Sequence, residues 1–141
     1  MRGAPDGTPM EASTEKTIHF RLEKSQEKLV QSDLMLQKGL YNDALLYSYL
    51  SMFYAIRVLL INHETDSDDE ERIMKLAEQY FEPAGWESID VIAVLKESKK
   101  FKDSIEKTPG IKIGREEADR LYRNAEQILA EVKRTVASPA R

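Results

Sequence analysis

Hydrophobic positions in this chain recur at alternating steps of three and four, the spacing that lines one face of an α-helix. The first stripe is Ile18, Leu22, Ser25, Leu29, Ser32 and Leu36. It predicts a helix that starts at Ser13 or Thr14, each a suitable N-cap, and runs to about Lys38, where Gly39 permits a left-handed stop. Ser25 and Ser32 are small enough to let a neighbouring helix come close. Residues 41–62, YNDALLYSYLSMFYAIRVLLIN, depart from this pattern, being apolar or aromatic almost all the way round. A helix without a polar face has to be covered on every side. In a chain of 141 residues, four or five helices only just surround a central one. The segment therefore predicts either a central position or cover from a second subunit, and a homodimer through Tyr49, Phe53 and Tyr54 is the expectation taken forward.

An acidic turn, ETDSDDEE, follows, and Ser67 to Glu70 has the S-x-x-E form of a capping box. The acids Asp66, Asp68, Asp69, Glu70 and Glu71 lack the alternating order of a calcium loop and read as a charged helix start. Ile73, Leu76, Ala77, Tyr80 and Phe81 define a short third helix closed by Pro83 and Gly85. Ser88 is the expected cap of a fourth, which turns Val91, Leu95, Ser98, Phe101 (or Lys102) and Ile105 inward and ends before Thr108-Pro109-Gly110. A fifth, from Arg115 to Val136, carries Ala118, Leu121, Tyr122, Ala125, Ile128 or Leu129, Val132 and Val136. The expected organisation is an all-α, up-and-down bundle over residues 13–136, between a disordered tail at 1–12 and a disordered end at 137–141. No internal repeat suggests a solenoid.

Composition narrows the chemistry. The chain has no cysteine, which excludes disulfides, thiolate zinc sites and a thiol nucleophile; with two histidines, His19 and His63, no metal site or cofactor is expected. A net charge of −4 argues against a protein that coats nucleic acid or anionic membranes. Arg57 interrupts the longest apolar stretch and no signal-peptide core opens the chain, so a cytoplasmic protein without a membrane span is expected.

Gly39-Leu40-Tyr41-Asn42-Asp43-Ala44, followed by Ser48-Tyr49-Leu50-Ser51-Met52-Phe53-Tyr54-Ala55-Ile56-Arg57-Val58-Leu59-Leu60, resembles the signature of HEPN domains. Weaker likeness continues through residues 98–103 and the final helix, so that it spans roughly residues 20–135. The resemblance implies a four- or five-helix bundle, commonly a homodimer. Some members of that family are metal-independent ribonucleases, often toxins of toxin–antitoxin pairs. Others lack the catalytic residues and partner a minimal nucleotidyltransferase. In the nuclease members an R-x(4–6)-H motif supplies an arginine for the phosphate and a histidine that moves the proton of the ribose 2′-hydroxyl. Arg57 and His63 fit that spacing, although the family's motif normally lies later, near residues 99–103. Six residues at about 100° each put the two side chains about 240° apart on a helix. Only a broken helix end or a second subunit would bring them together.

The structural alternatives are an Arg57 paired with an acid such as Asp33 or Asp103, a His63 set against the helix C-terminus, and a His19 on the surface. Lys96, Lys99, Lys100 and Lys102 form the densest basic cluster and are candidates for nucleotide or RNA binding along with Arg57; Glu97, Asp103 and Glu106 are in reach to neutralise them. Tyr41, Tyr47, Tyr49, Tyr54 and Tyr122 are either a stacking platform or core. The leading expectation is a non-catalytic HEPN-like module that partners a nucleotidyltransferase or binds a nucleotide or RNA, within a toxin–antitoxin pair. The alternatives are an endoribonuclease toxin using Arg57 and His63, and a purely structural interaction domain.

Overall fold

Five helices account for most of residues 8–62, 65–80 and 90–137, the parts that the computed structural model describes: α1 (Thr8–Gln37), α2 (Tyr41–Asn62), α3 (Glu70–Tyr80), α4 (Val91–Lys107) and α5 (Arg115–Ala137). No strand occurs among them. α1 begins ahead of the expected Ser13 or Thr14 cap. Pro9 falls in its first turn, where a missing amide hydrogen costs no helical bond, and Met10, Glu11 and Ala12 are good helix formers. Residues 1–7 and 138–141 of the expected tails lie outside the described residues, as do Phe81, Pro83, Gly85, Trp86 and Ser88.

The chain reverses after α1 through a Schellman turn. Gly39, at φ 75°, donates its N–H to the Leu36 carbonyl (3.1 Å), and Leu40 donates to Met35 (2.9 Å). α2 therefore runs back along α1, and serines set their separation. The Ser25 hydroxyl donates to the Ser51 carbonyl at 2.8 Å, while that of Ser51 donates to the Ser25 carbonyl at 2.9 Å. Two turns away the Ser32 hydroxyl reaches the Ala44 carbonyl at 2.7 Å and lies 2.8 Å from the Ser48 hydroxyl. All four serines are fully buried, and their hydroxyls are paired rather than orphaned.

α2 packs against each of the other four helices. Leu45, Tyr49, Met52, Ile56 and Leu60 meet a core that includes Leu95 of α4 and Leu121, Ile128 and Val132 of α5. Most of the α2 surface is thus covered within one chain, and its apolarity does not require a second subunit. By length and composition Tyr41–Ile61 would also suffice to cross a membrane, Arg57 included, but two-thirds of its apolar window is buried inside the bundle, as expected of a core helix.

Caps set the remaining ends. Asp69, not Ser67, caps α3, its carboxylate accepting the Arg72 N–H at 3.0 Å; Ser67 instead accepts the N–H of Asp69. The helix starts at Glu70, so the residue immediately before it holds the cap position, and Glu70 is left to pair elsewhere. Asp90 caps α4 through the Ala93 N–H at 3.1 Å. After α4, residues 108–111 form a turn with Pro109 second and Gly110, φ 84°, third, closed by Ile111 N–H to the Thr108 carbonyl. The Asn42 side chain then clasps the α4–α5 connection, donating to the Ile111 carbonyl at 2.9 Å and accepting the Ile113 N–H at 2.8 Å.

The serine contacts make a direct stability prediction. Ser32→Ala should cost roughly 1 kcal/mol by removing the hydroxyl's two contacts. Ser32→Leu should cost more, roughly 1 to 3 kcal/mol, by forcing the backbones apart. Urea denaturation of the two variants checks the order, and a leucine variant as stable as wild type would contradict it.

Candidate functional site

Arg57 lies near the C-terminal end of α2, on the one edge of that helix left open by its neighbours. Its Nε reaches Asp66 Oδ1 at 3.3 Å. The other Asp66 oxygen takes Nη2 of Arg21, from α1, at 2.7 Å, and Nη1 of Arg21 donates to the Arg57 backbone carbonyl at 3.2 Å. The acid that holds Arg57 is thus Asp66 in the connection between α2 and α3, not Asp33 or Asp103. A residue a few positions downstream returns to the helix edge, whereas Asp103 pairs with Lys99 in its own helix. Burial works against ionising Asp66, but hydrogen bonds from Arg21, Arg57 and the Ser67 amide outweigh it and hold the carboxyl below its ordinary value. Two guanidinium groups share one carboxylate, leaving a local excess of one positive charge. His63, the other half of the candidate pair, lies outside the described residues.

The lysine cluster on α4 divides. Lys99 pairs with Asp103 at 3.0 Å and approaches Glu70 at 3.9 Å; Lys102 pairs with Glu70 at 3.1 Å and Glu106 at 3.3 Å. Three carboxylates therefore face two ammonium groups, and the patch is not a cationic surface. Lys96 pairs with Glu78 of α3 at 2.8 Å, and Lys100 is exposed. Lys96 and Lys100 share a shallow cavity of about 500 Å³ with Phe101 and Ser104. The i, i+4 acids were visible in the chain; Glu70, thirty-two positions away from Lys102, was not.

Tyr49 and Phe53, expected at a dimer interface, are buried inside the protomer with ring centroids 4.6 Å apart, and Tyr54 is half-buried. The Tyr49 hydroxyl is buried on the Glu70 side of the core, and Lys102 Nζ sits 5.5 Å from its ring centroid. Burial and the nearby Glu70 push its ionisation far up, so it stays a neutral phenol. Burial, with Glu126 and Asp33 close by, likewise raises Tyr122 to about 12. Tyr41 and Tyr47 are partly open. His19 is exposed and pairs with Glu23 at 3.1 Å. Among the described residues no group of three His, Asp or Glu side chains is placed to hold a metal ion.

What the geometry defines is a helical bundle sheathing one apolar helix, with a shared-carboxylate arginine pair at that helix's end. The HEPN domain model matches residues 18–135, and the chain belongs to the HEPN domain family. A relative from Methanocaldococcus jannaschii, named "Putative toxin MJ0142", is 22% identical over 129 residues, which is 92% of this chain and 88% of that protein.

The Arg21–Asp66–Arg57 link carries a pH signature. Because the folded state depresses the Asp66 pKa, its contribution is complete above the ordinary value of 3.8 and disappears as the pH falls through the depressed one. Asp66→Asn should therefore lower the urea midpoint at neutral pH, and its deficit against wild type should shrink on acidification. A deficit independent of pH would refute the linkage.

Proposed function

We propose that this protein is a non-catalytic, RNA-directed HEPN module of the toxin–antitoxin type, working in the cytoplasm with a minimal nucleotidyltransferase as partner. The observation that carries the non-catalytic part is the commitment of Arg57. A transition-state cation has to be free to meet developing charge, whereas this guanidinium already has a carboxylate at 3.3 Å, itself tied to a second arginine. The toxin name of the archaeal relative supports the setting, and the HEPN membership supports the RNA-directed role and the partner class. A homodimer belongs to the same reading: Phe20, Val30 and Leu34 are each about half exposed on the outer face of α1, with Glu23 and Glu27 between them, and a second copy would cover them.

An RNA cleavage assay without metal tests the central claim, using wild type, Arg57→Ala and His63→Ala. The expected outcome is no cleavage above background by any of the three. Cleavage by wild type that falls a hundredfold or more in both variants would establish the endoribonuclease reading instead. Co-expression with a nucleotidyltransferase encoded beside this gene should yield a co-purifying complex, and separate elution would count against the partner. Light scattering should give twice the 16.2 kDa chain mass, falling to one chain mass in Phe20→Glu/Leu34→Glu.

A further inference from the structure

We propose that the open edge where α1 meets α2 is a binding strip for single-stranded RNA. The inference rests on the RNA-directed reading above and moves the contact surface away from the α4 lysines. Arg21, Lys24 and Lys28 follow one another at steps of three and four along one edge of α1, over about 10 Å at 1.5 Å per residue. Tyr47, Leu50, Tyr54 and Arg57 follow at steps of three, four and three along the open edge of α2. Two contacts fix these rows side by side and antiparallel. Lys28 Nζ lies 5.6 Å from the Tyr47 ring centroid at one end, and Arg21 reaches the Arg57 carbonyl at the other.

The strip has the two properties that a single strand needs. Tyr47 and Tyr54 are partly open and Leu50 is 39% exposed, so flat and apolar surface faces outward between the cations. Unpaired bases stack on such rings whatever their sequence, while an A-form duplex keeps its base faces covered. The charge balance is also right. Arg21, Lys24, Lys28 and Arg57 face Glu27 and Asp66, and with Asp43, exposed one turn before Tyr47 on the same row, an excess of one positive charge remains in a chain whose net charge is −4. On α4, by contrast, Glu70, Glu78, Asp103 and Glu106 offset Lys96, Lys99, Lys100 and Lys102 one for one. The Lys24–Glu27 pair, at 3.4 Å on the surface, is weak enough for a phosphate to replace the acid. One turn beyond Lys28, the Gln31 side-chain oxygen is buried without a hydrogen-bond partner.

Fluorescence anisotropy with labelled oligo(U) and oligo(A) of about 12 nucleotides, and with a blunt RNA duplex, tests the strip across a salt series. Wild type should bind the single strands and prefer them to the duplex. Lys24→Ala/Lys28→Ala should weaken binding at least tenfold and flatten the slope of log affinity against log salt by about 1.4, as expected for two lost phosphate contacts. Lys24→Arg/Lys28→Arg should restore both, and Lys96→Ala/Lys100→Ala should stay within twofold of wild type. If wild type binds none of these RNAs, the RNA-directed reading fails and the strip with it. If wild type binds but the Lys24/Lys28 alanine variant is unaffected, or the Lys96/Lys100 variant is the one that loses affinity, the strip alone is overturned. A Lys24/Lys28 variant that changes the light-scattering mass and leaves RNA affinity untouched assigns the edge to a second copy, which also overturns it.

Discussion

Close approach of α1 and α2 is the constraint on which the rest of the bundle depends. A helix as apolar as α2 needs neighbours on nearly every side, and a neighbour at ordinary distance would leave gaps that this small chain has no residues to fill. Serine at positions 25, 32, 48 and 51 removes bulk from the contact and replaces it with hydroxyls that bond to the opposing backbone or, for Ser48, to the facing Ser32 hydroxyl. With α1 seated in this way, α5, α4 and α3 complete the sheath. The open edge that remains is where Arg57 emerges, so the placement of that guanidinium is a result of how the core is closed.

The short acidic passage between α2 and α3 has a second organising role. Asp66 draws together the edges of α1 and α2, and Glu70, at the start of α3, draws in Lys99 and Lys102 of α4. Four helices are thus tied through two acids four residues apart. Because these acids are spent on the bundle, the charge exposed on each face differs from what the local sequence suggests. The lysine-rich stretch of α4 becomes a charge-balanced patch, and the edge of α1, which has no dense basic run, is left cationic.

Much of this architecture was legible in the chain because helical periodicity is a local property. The stripe from Ile18 to Leu36, the stop at Gly39 and the limits of α2 all follow from spacing within a few turns. The family resemblance rested on the same local runs, and the HEPN match covers them. The charge partners were not legible in this way. Asp66 lies nine residues from Arg57 but forty-five from Arg21, and nothing in the sequence separates it from Asp33 or Asp103 as a counter-ion until the helices are packed. For the same reason Arg21 does not stand out in the sequence: a lone arginine in an amphipathic helix looks like any solvated residue. The cap at Asp69 escapes the S-x-x-E pattern because the helix begins at Glu70, two residues later than a Ser67 cap would start it.

Asn42 joins parts of the chain 69 and 71 positions apart with one side chain, pairing its amide with a carbonyl and an N–H of the α4–α5 connection. During synthesis α1 and α2 are complete long before Ile113 leaves the ribosome. Until α5 follows, the hairpin exposes the apolar flank of α2 that α5 covers. The amide clasp ties α2 to the connection that emerges just ahead of α5, so it holds the start of α5 beside the flank that α5 covers. The α4–α5 connection is thus placed to guide the covering helix onto α2 as well as to hold the finished bundle together.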